Sequence, residues 1–269
     1  MSKGLFDTHT HLNDPWYQEE QIETKEIIES AKKVGVSYFC NVGFDVKSSK
    51  RALTQALKYK EVYAAVGIHP NEAHKVDIDL ETEEIETLAN GDKVVAIGEI
   101  GLDYFHNGKK YRDQQIKLLE LQIDVAKKHN FPVALHIRDE EGKEDAYLDA
   151  LEIIDRKKVK SGIIHCYTQG PELAQKFIER GFYISIPGIV TFKSAKALHK
   201  TVREISINFL LLETDAPYLA PEPMRGKINT SSYIAYTADY VANLKNMDVQ
   251  DIITATATNA KKVFKISLT

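Results

Sequence analysis

Cysteine is nearly absent from this chain. The two that occur among 269 residues, Cys40 and Cys166, are too few for a disulfide framework. Each sits in an apolar run that reads as a buried strand, which fits a reducing, cytoplasmic setting. Apolar runs of the ~18–20 residues needed to span a bilayer are missing as well. The opening stretch, residues 1–9, has neither an apolar leader core nor a cleavage site, so the expectation is a soluble, unprocessed protein with no membrane partner. There is also no surplus of basic charge. With 35 Lys and Arg against 39 Asp and Glu, the net charge of −4 excludes a broad basic surface that coats nucleic acid, while leaving room for a local phosphate site. Only 14 glycines and 8 prolines are present, which excludes collagen-like and low-complexity chains. What remains is 43% hydrophobic and 28% charged, a composition able to bury a core. No linker or charge block divides it, so a single domain over 1–269 is expected, with no obligate protein partner evident.

Short β-branched and apolar runs recur near 5–6, 38–42, 62–68, 94–100, 132–137, 162–165, 182–186 and 209–212. Between them lie segments with helical spacing, such as Ile22, Ile27, Ala31 and Val34, or Ile116, Leu119, Ile123 and Ala126. Gly35 and Gly181 fall where helix C-terminal caps are expected, and Pro171 suits a first helical turn. About eight strands alternating with helices need a parallel sheet with right-handed crossovers, and eight units close into a (β/α)8 barrel of the TIM type. The competing fold is a doubly wound open sheet. Against it, the first strand leads to Asp7-Thr8-His9-Thr10-His11 rather than to a glycine-rich dinucleotide loop.

His9 and His11 lie two apart at a strand end, so their side chains share a face. Alone, such a pair is more often a turn or surface feature than a metal site. Four later strands, however, also finish on ligand-type residues: Glu99, His136, His165 and Asp215. In a barrel these positions converge on the mouth where barrel enzymes keep their active sites. Four imidazoles and two carboxylates are enough for two divalent ions about 3.5–4 Å apart, with one ligand shared. Glu99 is the natural bridge, because a carboxylate can give one oxygen to each ion and an imidazole cannot. His9, His11 and Asp215 would complete one ion, and His136 and His165 the other.

The motifs around these residues resemble one family. His9-Thr10-His11-Leu12, Gly67-Ile68-His69-Pro70, Gly98-Glu99-Ile100-Gly101-Leu102-Asp103-Tyr104, residues 132–139, His165-Cys166-Tyr167, residues 213–221 and the closing 258–264 are similar, in order, to the motifs of the TatD metal-dependent deoxyribonucleases, within the amidohydrolase superfamily. The resemblance implies a (β/α)8 barrel, divalent metals on His9, His11, Glu99, His136, His165 and Asp215, and hydrolysis of phosphodiesters in DNA, with 3′-to-5′ trimming as the expected direction. Two loops depart from the family pattern. Ile228-Asn229-Thr230-Ser231 stands where Arg-Asn-Glu-Pro is usual, and His69-Pro70-Asn71 where His-Pro-His is usual.

Two ions would acidify a bound water and balance charge on a phosphoryl oxygen, making water the nucleophile, with Asp215 as ligand and general base. Imidazole and carboxylate together favour Zn, Mn, Co or Ni on ligand softness, and Mg stays open through the resemblance. His69 would donate to a phosphate or else to a neighbouring loop. Arg138 would pair with a phosphate or else anchor Asp139 or Glu140. Arg225 and Lys227 are candidate phosphate contacts on a loop where charges are otherwise merely solvated. Asp103 and Tyr104 would position substrate by hydrogen bonding and base stacking, or only close the barrel top. His106, His129 and His199 are read as having no special role. The same site chemistry serves a carbonyl substrate, such as an aminoacyl-tRNA ester or an amide, which is the alternative to DNA. A barrel that only stores metal is disfavoured, since six ligands shared by two ions leave coordination positions open.

Overall fold

The computed structural model describes residues 4–106 and 109–266. The opening residues read for a leader begin at 1–3, outside the described residues, as does the end of the expected domain at 267–269. Eight parallel strands run in sequence order: β1 (Leu5–Thr10), β2 (Val36–Val42), β3 (Val62–Val66), β4 (Val94–Asp103), β5 (Val133–Arg138), β6 (Gly162–Ile164), β7 (Phe182–Ile186) and β8 (Leu210–Leu212). Each pairs with the next, and an isolated parallel bridge from Thr10 to Ala216 brings the ends together, giving a nearly closed barrel. The open-sheet alternative is thereby removed.

Alternation along the strands builds two cores. Leu5, Phe39, Ala64 and Val66 face outward and pack with the surrounding helices, whereas Phe6, Cys40, Ala65, Ala96, Ile163 and Leu211 form a second cluster. The crossover helices are α1 (Pro15–Glu19), α2 (Thr24–Lys33), α3 (Val46–Lys58), α4 (Ile78–Leu88), α5 (Arg112–His129), α6 (Asp145–Lys157), α7 (Pro171–Ile178), α8 (Lys196–Glu204), α9 (Ile234–Lys245) and α10 (Val249–Val263). Ala257, Ala260 and Val263 of α10, with Phe264 beyond it, belong to the inner cluster, where the Phe264 ring lies 5.6 Å from that of Phe6. One barrel end is thus sealed by apolar contact, leaving the strand C-termini for chemistry.

Local signals account for most limits. Asp45 caps α3 by accepting from the backbone N–H of Ser48, and Asp77 does the same for Leu80 at the start of α4. Gly35 (φ 94°) and Gly181 (φ 86°) take the left-handed conformation at turns after α2 and α7, as expected of helix-ending glycines. No helix among the described residues is long and apolar enough to cross a membrane. Both cysteines are free. Cys40 is buried in β2, but Cys166 lies just beyond β6 and lines the cavity at the strand ends, which corrects its reading as a buried strand residue.

Candidate active site

The strand ends hold the candidate ligands by their own backbone amides. Glu99 N–H donates to Gly43 O (2.8 Å), His165 N–H to Leu135 O (3.0 Å) and Asp215 N–H to His9 O (2.9 Å), while His11 N–H donates to Ala216 O (2.7 Å). Each of these four is therefore fixed against backbone at the end of another strand rather than carried on a free loop. The structure brings all six together. Glu99 Oε2 lies 3.5 Å from His9 Nε2 and 3.7 Å from His11 Nε2; its other oxygen, Oε1, lies 2.9 Å from His136 Nδ1 and 3.4 Å from His165 Nε2. Asp215 Oδ1 is 3.3 Å from His11 Nε2 and 3.9 Å from both His9 and His165 Nε2.

Hydrogen bonds behind the rings select which nitrogen each presents. His11 Nδ1–H donates to Val42 O (2.9 Å), leaving Nε2 for the centre. His136 Nε2–H donates to Asp103 Oδ2 (3.0 Å), so Nδ1 is the free nitrogen there. His165 Nδ1 lies 3.1 Å from Glu213 Oε1, off the line of a hydrogen bond, and that oxygen accepts from Cys166 N–H (2.7 Å) instead. These supporting acceptors are the kind that orient metal-binding imidazoles. Groups of His9, His11 and Asp215, of His9, Glu99 and His165, of His69, Glu99 and His136, and of His165, Cys166 and Glu213 have ligand atoms close enough to hold a metal ion.

The charges are strongly interdependent. Burial alone would raise the Glu99 carboxyl, yet the imidazoles of His69 and His165 hold it well below the ordinary range. Asp215 is likewise lowered against its burial, by His165 and His11. Burial opposes a charge on His136, but hydrogen bonds to Asp103 and Glu99 raise it to about 9. For His69, burial and the neighbouring His136 act together and bring it down to about 3.

The expected substrate contacts divide. His69, Arg138, Glu99, His136, His165 and Asp215 all line one cavity of about 720 Å³. Asp103 is wholly buried behind His136 and reaches the cavity only through it. Tyr104 is also buried, and its hydroxyl donates to Asp149 Oδ2 (2.6 Å), so it is not the stacking ring expected from the sequence; Phe105, its neighbour, lines the cavity. Arg225 and Lys227 do not line it: the Arg225 guanidinium sits 4.6 Å over the Phe192 ring and Lys227 is exposed. Arg138 stacks 4.0 Å over Phe105 rather than anchoring Asp139, whose carboxylate accepts from Ala146 N–H.

Sequence reasoning missed four groups. Glu213, fully buried beside His165, shares strand parity with Asp215, and that alternation was a usable signal. His106 lines the cavity, with Nδ1–H donating to Asp103 Oδ2 (2.8 Å), and Asn71 donates to the same oxygen (3.3 Å). Both follow irregular turns where no periodicity applies. Cys166, at φ 48°, is the fourth.

Comparison with known proteins agrees with the geometry. The family model described as TatD related DNase matches residues 6–265. A metal-dependent hydrolase of Bacillus subtilis strain 168, YabD, is 41% identical over 268 residues, covering 98% of this chain and all of the relative. The metal-dependent hydrolase YcfH of Escherichia coli K12 is 34% identical over 265 residues, covering 97% and 96% of the two chains. The crystal structure of YJJV, a TatD homologue from Escherichia coli K12, superposes with a TM-score of 0.89 at 26% identity, covering 99% of this chain and 100% of that one. With its eight-stranded barrel and its histidine and carboxylate clusters, this chain belongs to the TatD-related DNase family of metal-dependent hydrolases.

Proposed function

We propose that the protein is a divalent-metal-dependent phosphodiesterase that trims single-stranded DNA from its 3′ end. The observation that carries this reading is the division of Glu99, whose two oxygens face two different ligand groups, His9 with His11 and His136 with His165. A carboxylate so placed suits a bridge between two ions. The donor set fits cations: His9 Nε2 and His11 Nε2 stand 3.3 Å apart, and His11 and His136 have their opposite nitrogens committed to oxygen acceptors. His9, His11 and Asp215 would hold one ion, His136 and His165 the other, with Glu99 shared. When bound, two divalent ions supply acidity to a water and positive charge against a phosphoryl oxygen. The ligand types accommodate Zn, Mn, Co, Ni or Mg.

The chain's own residues do the rest. Asp215, kept ionised by His165 and His11, accepts the proton of the attacking water as an O–P bond forms and the bond from phosphorus to the 3′ oxygen of the next nucleotide breaks, that oxygen taking a proton from solvent to leave as a 3′-hydroxyl on the shortened strand. His69 serves as a donor. Its Nδ1 accepts from Asn71 N–H (3.1 Å), so the neutral ring carries its hydrogen on Nε2, facing the cavity 3.5 Å from Glu99 Oε1. That hydrogen suits a phosphoryl oxygen better than a metal. Arg138 has no carboxylate partner among the described ion pairs and is the one Arg or Lys lining the cavity among the described residues. One cation suits a strand end, not a long duplex tract.

The test is a parallel assay of single-stranded DNA, an abasic-site duplex, an aminoacyl-tRNA and a simple amide with each of the five metals. Release of 5′-mononucleotides from linear single strands is expected, with circular strands resistant. Turnover confined to aminoacyl-tRNA or the amide would replace DNA with the carbonyl alternative.

A further inference from the structure

Exposed aromatic rings stand on opposite sides of the cavity mouth, and the hydrolytic chemistry uses none of them. On one side Phe105, just past β4, is 47% exposed, with the Arg138 guanidinium 4.0 Å from its ring centroid. On the other, Tyr218 on the loop after β8 is 43% exposed, and Trp16 of α1, the one tryptophan of the sequence, is 36% exposed. The two ring centroids of this second pair are 6.0 Å apart. Strands β4 and β8 are four steps apart in a ring of eight, so Phe105 and Tyr218 confront each other across the opening. Both line the cavity.

Single exposed apolar side chains need no explanation, but two exposed rings facing each other across one ligand-sized cavity, one backed by Arg138 and the other by Trp16, do. These rings are also held in place. The Tyr218 hydroxyl donates to Asp14 Oδ2 (2.7 Å), and the other oxygen of that carboxylate accepts from the backbone N–H of Trp16 (2.8 Å), capping α1. Asn229 Nδ2 donates to the Tyr218 carbonyl (2.6 Å), bracing the loop from below. Phe105 N–H donates to Asp103 Oδ1 (3.0 Å). Tyr218 stands 6.2 Å, centroid to centroid, from His11, so a group against it is beside the candidate metal ligands.

We propose that Phe105 with Arg138, and Tyr218 with Trp16, are two stacking platforms that receive unpaired nucleobases on either side of the scissile phosphate. The inference rests on the DNA reading above and sharpens its substrate class: a single strand or frayed end, because bases in an intact duplex have their faces occupied already. It also explains how an acidic protein binds nucleic acid. Glu72, Asp139 and Glu141 line the same cavity, so attraction for phosphate is confined and ring contact contributes much of the affinity. The Tyr218 hydroxyl is engaged with Asp14, leaving a ring face and no edge donor to tell one base from another. Little sequence preference follows.

The experiment measures binding of a single-stranded tetranucleotide to metal-loaded Asp215→Asn protein, using Trp16 fluorescence and equilibrium titration. The probe carries either all four bases or a base-free sugar at its last or next-to-last position. Quenching of Trp16 is expected, and each base-free probe should bind roughly five- to a hundredfold more weakly. Adding Phe105→Leu or Tyr218→Leu should weaken binding of the complete strand and remove the base-free penalty at one position, a different one for each variant. Penalties that remain intact in both variants, or base-free probes that bind the parent as tightly as the complete strand, would overturn the inference. If the wild-type protein cleaves DNA while the penalties persist, stacking alone is wrong; if it cleaves no DNA, the substrate reading falls and takes this inference with it.

Discussion

Nε2–H of His136 donates to Asp103 Oδ2 across 3.0 Å, which leaves Nδ1 of the same ring to face Glu99 at 2.9 Å. Asp103 also accepts from His106 Nδ1–H, Asn71 Nδ2–H and the backbone N–H groups of Phe105 and His106, and its carboxyl lies below the usual range. It is wholly buried, so its charge acts on His136 in a region of weak screening. Asp103→Asn keeps the shape and removes the charge that would strengthen His136 as a metal ligand. Metal affinity should fall about 10- to 100-fold, read by calorimetric titration, as for losses of similar supporting groups. Unchanged affinity would show that Asp103 serves the loop alone.

How much of this was legible beforehand depends on the element. The strand runs and the parity of His9 with His11 and of His136 with Arg138 follow from two-residue alternation, and the structure places both pairs at the cavity or its base. Tyr104 shows the rule neglected: one residue after inward-facing Asp103, it has to turn away, and its partner Asp149 lies 45 positions on, where no local pattern points. The extent of β4 was also hidden. A register shift between Ile97 and Ile100 lets the strand continue to Asp103 instead of ending near Ile100. Arg225 sits in a loop without periodicity, and its stacking on Phe192 depends on how that loop folds back.

His69 offers a cleaner division between binding metal and helping chemistry. With Nδ1 accepting from Asn71 and Nε2 carrying the hydrogen, it should donate to substrate without holding an ion. His69→Ala should therefore retain its metal content while kcat falls about 10²- to 10³-fold, the usual loss for one transition-state donor. Because burial and His136 hold this ring at about 3, its titration should leave no limb in the kcat profile between pH 5 and 9. Metal lost in proportion to activity would instead make it a ligand.

Tyr104 belongs to stability. Its hydroxyl donates to Asp149, which also takes a two-point contact from Arg112 (2.8 and 2.9 Å). Tyr104→Phe should lower unfolding free energy by about 1–3 kcal/mol, a hydrogen bond to a charged group, as measured by urea denaturation. KM for DNA should not move. A raised KM at unchanged stability would return Tyr104 to the substrate contacts.

Asp7 gives a pH signature. Burial, opposed by hydrogen bonds from Ser231 and Thr214, raises its carboxyl from 3.8 to about 7. The folded state then holds a proton that the unfolded chain releases earlier, so the stability this provides is complete below about pH 4 and lost as pH rises through 7. Asp7→Asn has no such proton. The stability of wild type minus that of the variant, measured by denaturation in chelator, should decline from pH 4.5 to pH 8, and an increase over that range would contradict the assignment.

The central claim is that Glu99 serves two metal positions at once. It is tested most directly by counting manganese ions bound per chain in wild-type and Glu99→Ala protein by equilibrium dialysis. Two ions per wild-type chain are expected, with both sites weakened together in the variant and hydrolysis abolished by chelation. A wild-type chain that binds one ion and loses none of it on Glu99→Ala, or that cleaves DNA at full rate in chelator, would contradict the account.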